Sequence, residues 1–139
     1  MKKTALKTVP LEIAKEMAKE FKRQLSSNDD TRSVWFSIAQ ISEMVENLKK
    51  ESADGLRVYF GRYTEDTIRK LNEIPNADAI PAAYSNRNTV IFVSTHKKGG
   101  KDRVDYFDEK DYHSMIPENR GILCPPHTGC DPDSEMLKE

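Results

Sequence analysis

The sequence contains no long apolar run and no excess of either charge. Hydrophobic residues make up 37% of the chain, but they never form the run of about 18 that a membrane-spanning helix needs. We therefore expect no insertion into a membrane. The 22 basic residues are matched by 23 acidic ones, whereas nucleic-acid-binding domains usually carry a basic excess. The composition thus disfavours nucleic acid as a partner, and weak nucleic-acid binding is kept as a second alternative function.

The N-terminal region also lacks the apolar core of an export signal, because Lys7 and Glu12 interrupt it. A secretory leader needs a continuous apolar stretch of at least about seven residues. We therefore predict a cytoplasmic location, where thiols stay reduced. The chain has only two cysteines, Cys124 and Cys130. Their spacing allows a disulfide, but a reducing compartment favours two free thiols.

Two segments have the periodicity of amphipathic helices. Over residues 9–25, apolar side chains recur every four positions, which predicts the first helix. Ser37 and Gln40 have the spacing of a capping box, in which each side chain accepts a hydrogen bond from the backbone N–H of the other residue. Apolar residues then continue at helical spacing to Leu48, before Asp54 and Gly55 end the segment. A second helix is predicted between these signals.

A strand is predicted where apolar and polar side chains alternate, or where both faces of the segment are apolar. These segments are 32–36, 56–63, 88–95 and 103–107. Together the elements predict one α+β domain over residues 1–139, with a small, mainly antiparallel sheet and two main helices packed on one of its faces. Residues 72–87 are predicted to be irregular, and a loop of that length is often functional. Residues 108–139, polar and rich in turn signals, are predicted to form an irregular C-terminal extension.

The segment from Cys124 to Cys130 has the highest density of reactive side chains. Thiolate and imidazole are good zinc ligands, so Cys124, His127 and Cys130 are a candidate metal site. The second ligand pair of a structural zinc site is missing, however, and we predict no cofactor, with zinc as the alternative. A Cys130 nucleophile with His127 as its base is a further alternative, although Asp131 would oppose thiolate formation. The favoured interpretation is a proline-stiffened loop that packs Leu123 and Cys124 on the core.

A second candidate surface lies on the predicted strand 56–63. One face of this strand carries Arg57, Tyr59 and Tyr63, and arginine and tyrosine are enriched among the residues that dominate protein interfaces. The same residues could instead be covered by a helix, with the arginine stem lying over the tyrosine rings. The covered strand face is the favoured interpretation, and Arg57, Tyr59 and Tyr63 are the partner-binding surface of the functional hypothesis.

Several segments together resemble a small bacterial family of uncharacterised single-domain proteins. The resemblance covers about residues 33–126 and is carried by Val34–Ser37, Gly55–Gly61, Thr89–Val93 and Asn119–Pro126. It implies a single domain of cytosolic type. It implies no activity, ligand or catalytic residue.

No pair of catalytic acids, nucleophilic triad or phosphate-binding loop is recognisable in the sequence. The absence of such motifs, together with the Tyr/Arg strand face and the stiff C-terminal loop, favours a non-enzymatic protein-interaction or accessory module that binds a protein partner. The first alternative is a zinc-binding domain or small zinc-assisted enzyme built on Cys124, His127 and Cys130. The sequence identifies neither the partner nor any substrate.

Overall fold

The computed structural model describes residues 7–27, 29–75, 78–107, 121–126 and 130–137. The elements confirm the predicted α+β class with mainly antiparallel strand pairing. In chain order they are α1 (Leu11–Gln24), β1 (Ser33–Trp35), α2 (Ile38–Lys50), β2 (Gly55–Arg62), α3 (Glu65–Asn72), a 3-10 turn (Ala82–Tyr84), β3 (Asn88–Lys98), β4 (Lys101–Asp105), β5 (Ile122–Cys124) and a second 3-10 turn (Glu135–Leu137).

The main sheet has three antiparallel strands in the order β2-β3-β4. Strands β3 and β4 form a hairpin whose turn residues, Gly99 and Gly100, both have positive φ. Glycine suits this turn because it has no Cβ to clash in the left-handed region. The prediction of one four-stranded sheet is wrong for the first strand. β1 pairs with β5 in a separate two-stranded sheet, in which Val34 lies opposite Leu123.

Helix α2 begins at the predicted capping box. The Ser37 hydroxyl accepts from the backbone N–H of Gln40, and the Gln40 side chain accepts from the N–H of Ser37. Both ends of this helix contact β3. The ring of Phe36 lies 5.0 Å from that of Phe92, and Glu51 bonds the His96 ring at 3.2 Å. Because these contacts lie at both of its ends, α2 runs along β3.

Residues from four separate regions of the chain form a buried hydrophobic cluster. Its members are Tyr63, Ile68, Ile80, Tyr84 and Leu123. Ile80 and Tyr84 come from the segment that was predicted to be irregular, 72–87. Apart from the end of α3 and one 3-10 turn, the described part of that segment is irregular, as predicted, and the Asn72 side chain holds it by bonding both the N–H and the C=O of Ile80.

Two apolar surfaces are left exposed. None of the residues of α1 is buried, and this helix lies against the 3-10 turn Glu135–Leu137. The predicted packing of both main helices on one sheet face is therefore not shown. In β2, the side chain of Phe60 is 92% exposed, and Leu56 and Val58 are exposed as well. Among the described residues, no helix combines the length and the apolar character that crossing a membrane requires.

Candidate functional site

The two cysteines form a disulfide, which corrects the prediction of free thiols. Cys124 and Cys130 are joined with an S–S distance of 2.07 Å. Sulfurs that are bonded to each other are not thiolates, so in this form they neither ligate zinc nor act as nucleophiles. His127, the third candidate ligand, lies outside the described residues. Within the described ranges, no group of three or more His, Cys, Asp or Glu side chains is placed to hold a metal ion.

The disulfide also bears on the predicted location. Structural disulfides persist in oxidising compartments and are rare in the cytosol. A Cys124–Cys130 bond therefore disagrees with the argument that placed the chain in the cytoplasm. The location remains a prediction, and the oxidation state of these two sulfurs in the cell would test it.

Backbone contacts hold the disulfide segment against the chain that leads into β1. The N–H of Arg32 donates to the C=O of Cys124 at 2.8 Å, and the hydroxyl of Thr31 donates to the C=O of Pro125 at 2.5 Å. Ser33 lies opposite Cys124 in the β1–β5 pairing. Residues 31–33 therefore fix the position of the disulfide, although about ninety residues separate the two segments.

A buried carboxylate in turn orients residues 31–33. Asp30 accepts from the backbone N–H of Thr31 at 2.8 Å and from the guanidinium of Arg62 at 3.1 Å. Burial acts to raise the pKa of Asp30, but the bonds from Arg62, Thr31 and Asn88 outweigh it and hold the pKa below its usual value. Asp30 is therefore charged at neutral pH, and it links the start of β1 to the end of β2.

A cleft of about 660 Å³ is lined by α1, the disulfide segment and the C-terminal 3-10 turn. We call it the α1 cleft. Its size is typical of ligand-binding sites. Its apolar lining comes from α1, from the disulfide and from the residues on either side of it, and consists of Ala18, Phe21, Cys124, Pro125, Cys130, Pro132, Met136 and Leu137.

The charged lining of the α1 cleft is mostly basic. Its charged lining consists of four cations, Lys15, Lys19, Lys22 and Arg32, and one carboxylate, that of Asp131; Lys15 also forms an ion pair with Glu12. The whole chain has a net charge of −1, so this excess of positive charge is local. Within the described part of the chain, neither Lys19 nor Arg32 has an ion-pair partner. The cleft therefore combines an apolar wall with cationic groups that are able to bind an anion.

The predicted surface of Arg57, Tyr59 and Tyr63 is only partly present. Tyr63 is 2% exposed and belongs to the core, where its ring packs on Tyr84. It follows the last residue of β2, so the strand alternation no longer determines its direction. Arg57 and Tyr59 do share one face of β2, and both donate to the carboxylate of Asp105 on β4.

Tyr59 does not have the electrostatics of a catalytic base. The hydrogen bond to Asp105 raises the pKa of Tyr59 above its usual value. The phenol therefore stays protonated at neutral pH, whereas a general base needs a pKa near the working pH. What remains accessible at these positions is an exposed tyrosine ring and part of an arginine side chain.

Sequence reasoning missed the α1 cleft, but one signal for it was present. Lys15, Lys19 and Lys22 follow each other at steps of four and three residues, which puts them on one face of a helix. Such a stripe is equally typical of the solvated face of an amphipathic helix. Nothing in the local sequence indicated that Arg32 would join the stripe, because its position depends on the pairing of β1 with β5.

Comparison with models of protein families, with curated proteins and with solved structures finds no match for this chain. The interpretation of the α1 cleft therefore depends on its own geometry and charge.

Proposed function

We propose that the protein is a non-enzymatic binding module that holds an acidic, partly apolar peptide segment of a protein partner in the α1 cleft. The observation that carries this proposal is the local charge of the cleft, where four cations and one carboxylate surround an apolar wall. A peptide with carboxylates beside apolar side chains is complementary to both parts of this lining. Its apolar side chains would cover Phe21 and the disulfide.

The cleft suits recognition because one of its walls, formed by Arg32 and the disulfide segment, is held in place by other contacts. Asp30, Thr31 and the β1–β5 pairing hold Arg32 and the disulfide segment in place. Binding to a preformed surface avoids part of the entropy loss that ordering a flexible loop would bring. The exposed apolar residues of α1 beside the cleft would allow the partner to extend beyond it.

The experiment is a selection of phage-displayed random peptides on the purified full-length protein, followed by affinity measurements on the enriched peptides. We expect enrichment of Asp and Glu next to apolar residues. Arg32→Glu and Lys19→Glu should each weaken binding at least tenfold, because each replaces an attraction with a repulsion inside the cleft. Lys49→Glu makes the same charge change at the end of α2, outside the cleft, and should leave the affinity unchanged.

Trp35 offers a local readout of binding. It is the only tryptophan in the chain, and it shares one face of β1 with Ser33, which lines the cleft. Its fluorescence should change when an acidic peptide binds and should not change in Arg32→Glu. Enriched peptides without carboxylates, or equal losses in Arg32→Glu and Lys49→Glu, would show that the cleft is not the binding site.

A further inference from the structure

The most extensive contact of α1 is with the C-terminal 3-10 turn. None of the residues of α1 is buried, and the element that it contacts most is the turn Glu135–Leu137. Just before this turn, the backbone N–H groups of Asp133 and Ser134 both donate to Asp131, so these bonds stay within the C-terminal segment. We call α1 together with residues 130–137 the α1 unit. Its position depends on what joins it to the strands.

The disulfide joins the α1 unit to the core. Cys130 begins the C-terminal segment, and its sulfur is bonded to that of Cys124 at the end of β5. The β5 side is fixed, because Leu123 is fully buried and its N–H donates to the hydroxyl of Tyr84. The N–H of Arg32 also donates to the C=O of Cys124. Breaking the S–S bond therefore leaves Cys124 in place and removes a covalent link between β5 and the α1 unit.

The disulfide is accessible from the α1 cleft and lies among cationic groups. Cys124 and Cys130 are both partly exposed, and both line the cleft. Lys19 and Arg32 belong to the same lining, and Asp131 is the one carboxylate in it. An excess of positive charge attracts a thiol that carries carboxylates, and it favours the thiolate form in which sulfur attacks a disulfide and leaves it.

We propose that the Cys124–Cys130 disulfide is a redox switch for the α1 cleft, and that a small thiol carrying carboxylates reduces it. Reduction releases the α1 unit from β5, so the cleft loses its shape and the acidic peptide dissociates. The oxidised protein binds the peptide, and the reduced protein does not. The effect on peptide binding rests on the proposed function, whereas the release of the α1 unit is measurable without any peptide.

The reaction is a thiol–disulfide exchange in two steps. The thiolate of one reductant molecule bonds to one of the two protein sulfurs, the Cys124–Cys130 bond breaks, and the other sulfur leaves as a thiolate. A second reductant thiolate then attacks the reductant sulfur of this mixed disulfide and releases the remaining protein thiolate. Two reductant thiols are oxidised to one disulfide, the protein disulfide is reduced to two thiols, and the protons lost by the reductant are taken up by the protein sulfurs.

The first test is hydrogen exchange of the full-length protein, measured by mass spectrometry before and after reduction with dithiothreitol. Exchange in α1 and in residues 130–137 should become about tenfold faster or more, because this unit is then held only by local contacts. Exchange in β3 of the main sheet is the internal control and should stay the same. The double variant Cys124→Ser/Cys130→Ser should match the reduced protein, with or without dithiothreitol.

Two results of this test would overturn the switch. Equal exchange of α1 in the oxidised and reduced proteins would show that the disulfide does not hold the α1 unit in place. An equal acceleration in α1 and β3 would show that reduction loosens the whole fold rather than the cleft. Neither result depends on whether the cleft binds a peptide.

The second test is the affinity for the acidic peptides selected on the oxidised protein. Reduction should weaken binding by about tenfold or more, because the preformed cleft is lost, and Cys124→Ser/Cys130→Ser should bind as weakly as the reduced protein. Equal affinities of the oxidised and reduced proteins would overturn the switch alone. Failure of the oxidised protein to select any acidic peptide would instead contradict the proposed function, and hydrogen exchange would then decide the switch.

The third test concerns the charge of the reductant. At equal thiolate concentration and low ionic strength, glutathione, which carries two carboxylates, should reduce the disulfide about tenfold faster than the cationic thiol cysteamine. Arg32→Glu and Lys19→Glu should each reduce this preference, whereas Lys49→Glu, outside the cleft, should leave it unchanged. Equal rates with the two thiols in the wild type would refute the assignment of an acidic thiol as the reductant.

Discussion

Replacing Asp30 should reveal how strongly one buried carboxylate ties the start of β1 to the rest of the fold. The bond from the N–H of Thr31 is charge-assisted and buried, and its loss should cost about 2 kcal/mol. The ion pair with Arg62 should contribute less than about 1 kcal/mol, since 47% of the Arg62 side chain is exposed. We therefore expect Asp30→Ala to lower the free energy of unfolding by about 2 to 3 kcal/mol.

The matched variant Asp30→Asn separates the contribution of the hydrogen-bond acceptor from the contribution of the charge. Its amide oxygen still accepts from Thr31, so it should lose only the charged component, about 1 kcal/mol. Urea unfolding followed by Trp35 fluorescence measures both values. A cost below about 0.5 kcal/mol for Asp30→Ala, or equal costs for the two variants, would refute the assignment of the larger part to the Thr31 bond.

The contribution of the Asp30 charge to the free energy of unfolding should decrease as the pH is lowered. The pKa of Asp30 is lowered in the folded protein relative to the value of 3.8 for an unperturbed carboxyl. The unfolded chain therefore binds the proton more readily, and the contribution of the charge is complete above that value. It is lost as the pH falls below 3.8 through the folded pKa. The stability difference between the wild type and Asp30→Asn should accordingly be constant near neutral pH and shrink in acid.

Two further changes test the packing around the cleft. Replacing both Cys124 and Cys130 with serine should lower the free energy of unfolding by about 2 kcal/mol, the loop-closure value for a separation of 6 residues, and adding a reductant to this variant should change nothing further. Tyr84→Phe removes the acceptor of the buried N–H of Leu123 and should cost about 2 kcal/mol in chemical denaturation. Tyr59→Phe, at an exposed ring, is the control and should cost much less than Tyr84→Phe.

The sequence predicted the helices and strands well where all the residues that determine an element's start or end lie close together in the chain. The capping box of Ser37 and Gln40 determines where α2 begins, since each partner lies within one helical turn of the other. The two glycines after Lys98 determine the β3–β4 turn for the same reason. These signals depend only on residues close together in the sequence, and the fold class follows from the order of the elements.

Alternation in β2 predicted two faces but not which of them would be covered. Leu56, Val58 and Phe60 share one face, as the pattern indicates, yet that face is exposed. Whether a face is covered depends on where α2 lies, and its contacts at Phe92 and His96 hold it along β3. The position of a helix on a sheet depends on contacts between residues far apart in the sequence. No short segment of the sequence can therefore predict it.

The site was harder to predict because its parts are far apart in the sequence. The α1 cleft needs α1, Arg32 and the segment around the disulfide, and only the pairing of β1 with β5 brings the last two together. The disulfide was missed for a different reason. Its spacing was recognised as suitable, but an assumption about the cellular compartment decided against it. The spacing of the two cysteines was therefore better evidence for their state than the assumed location.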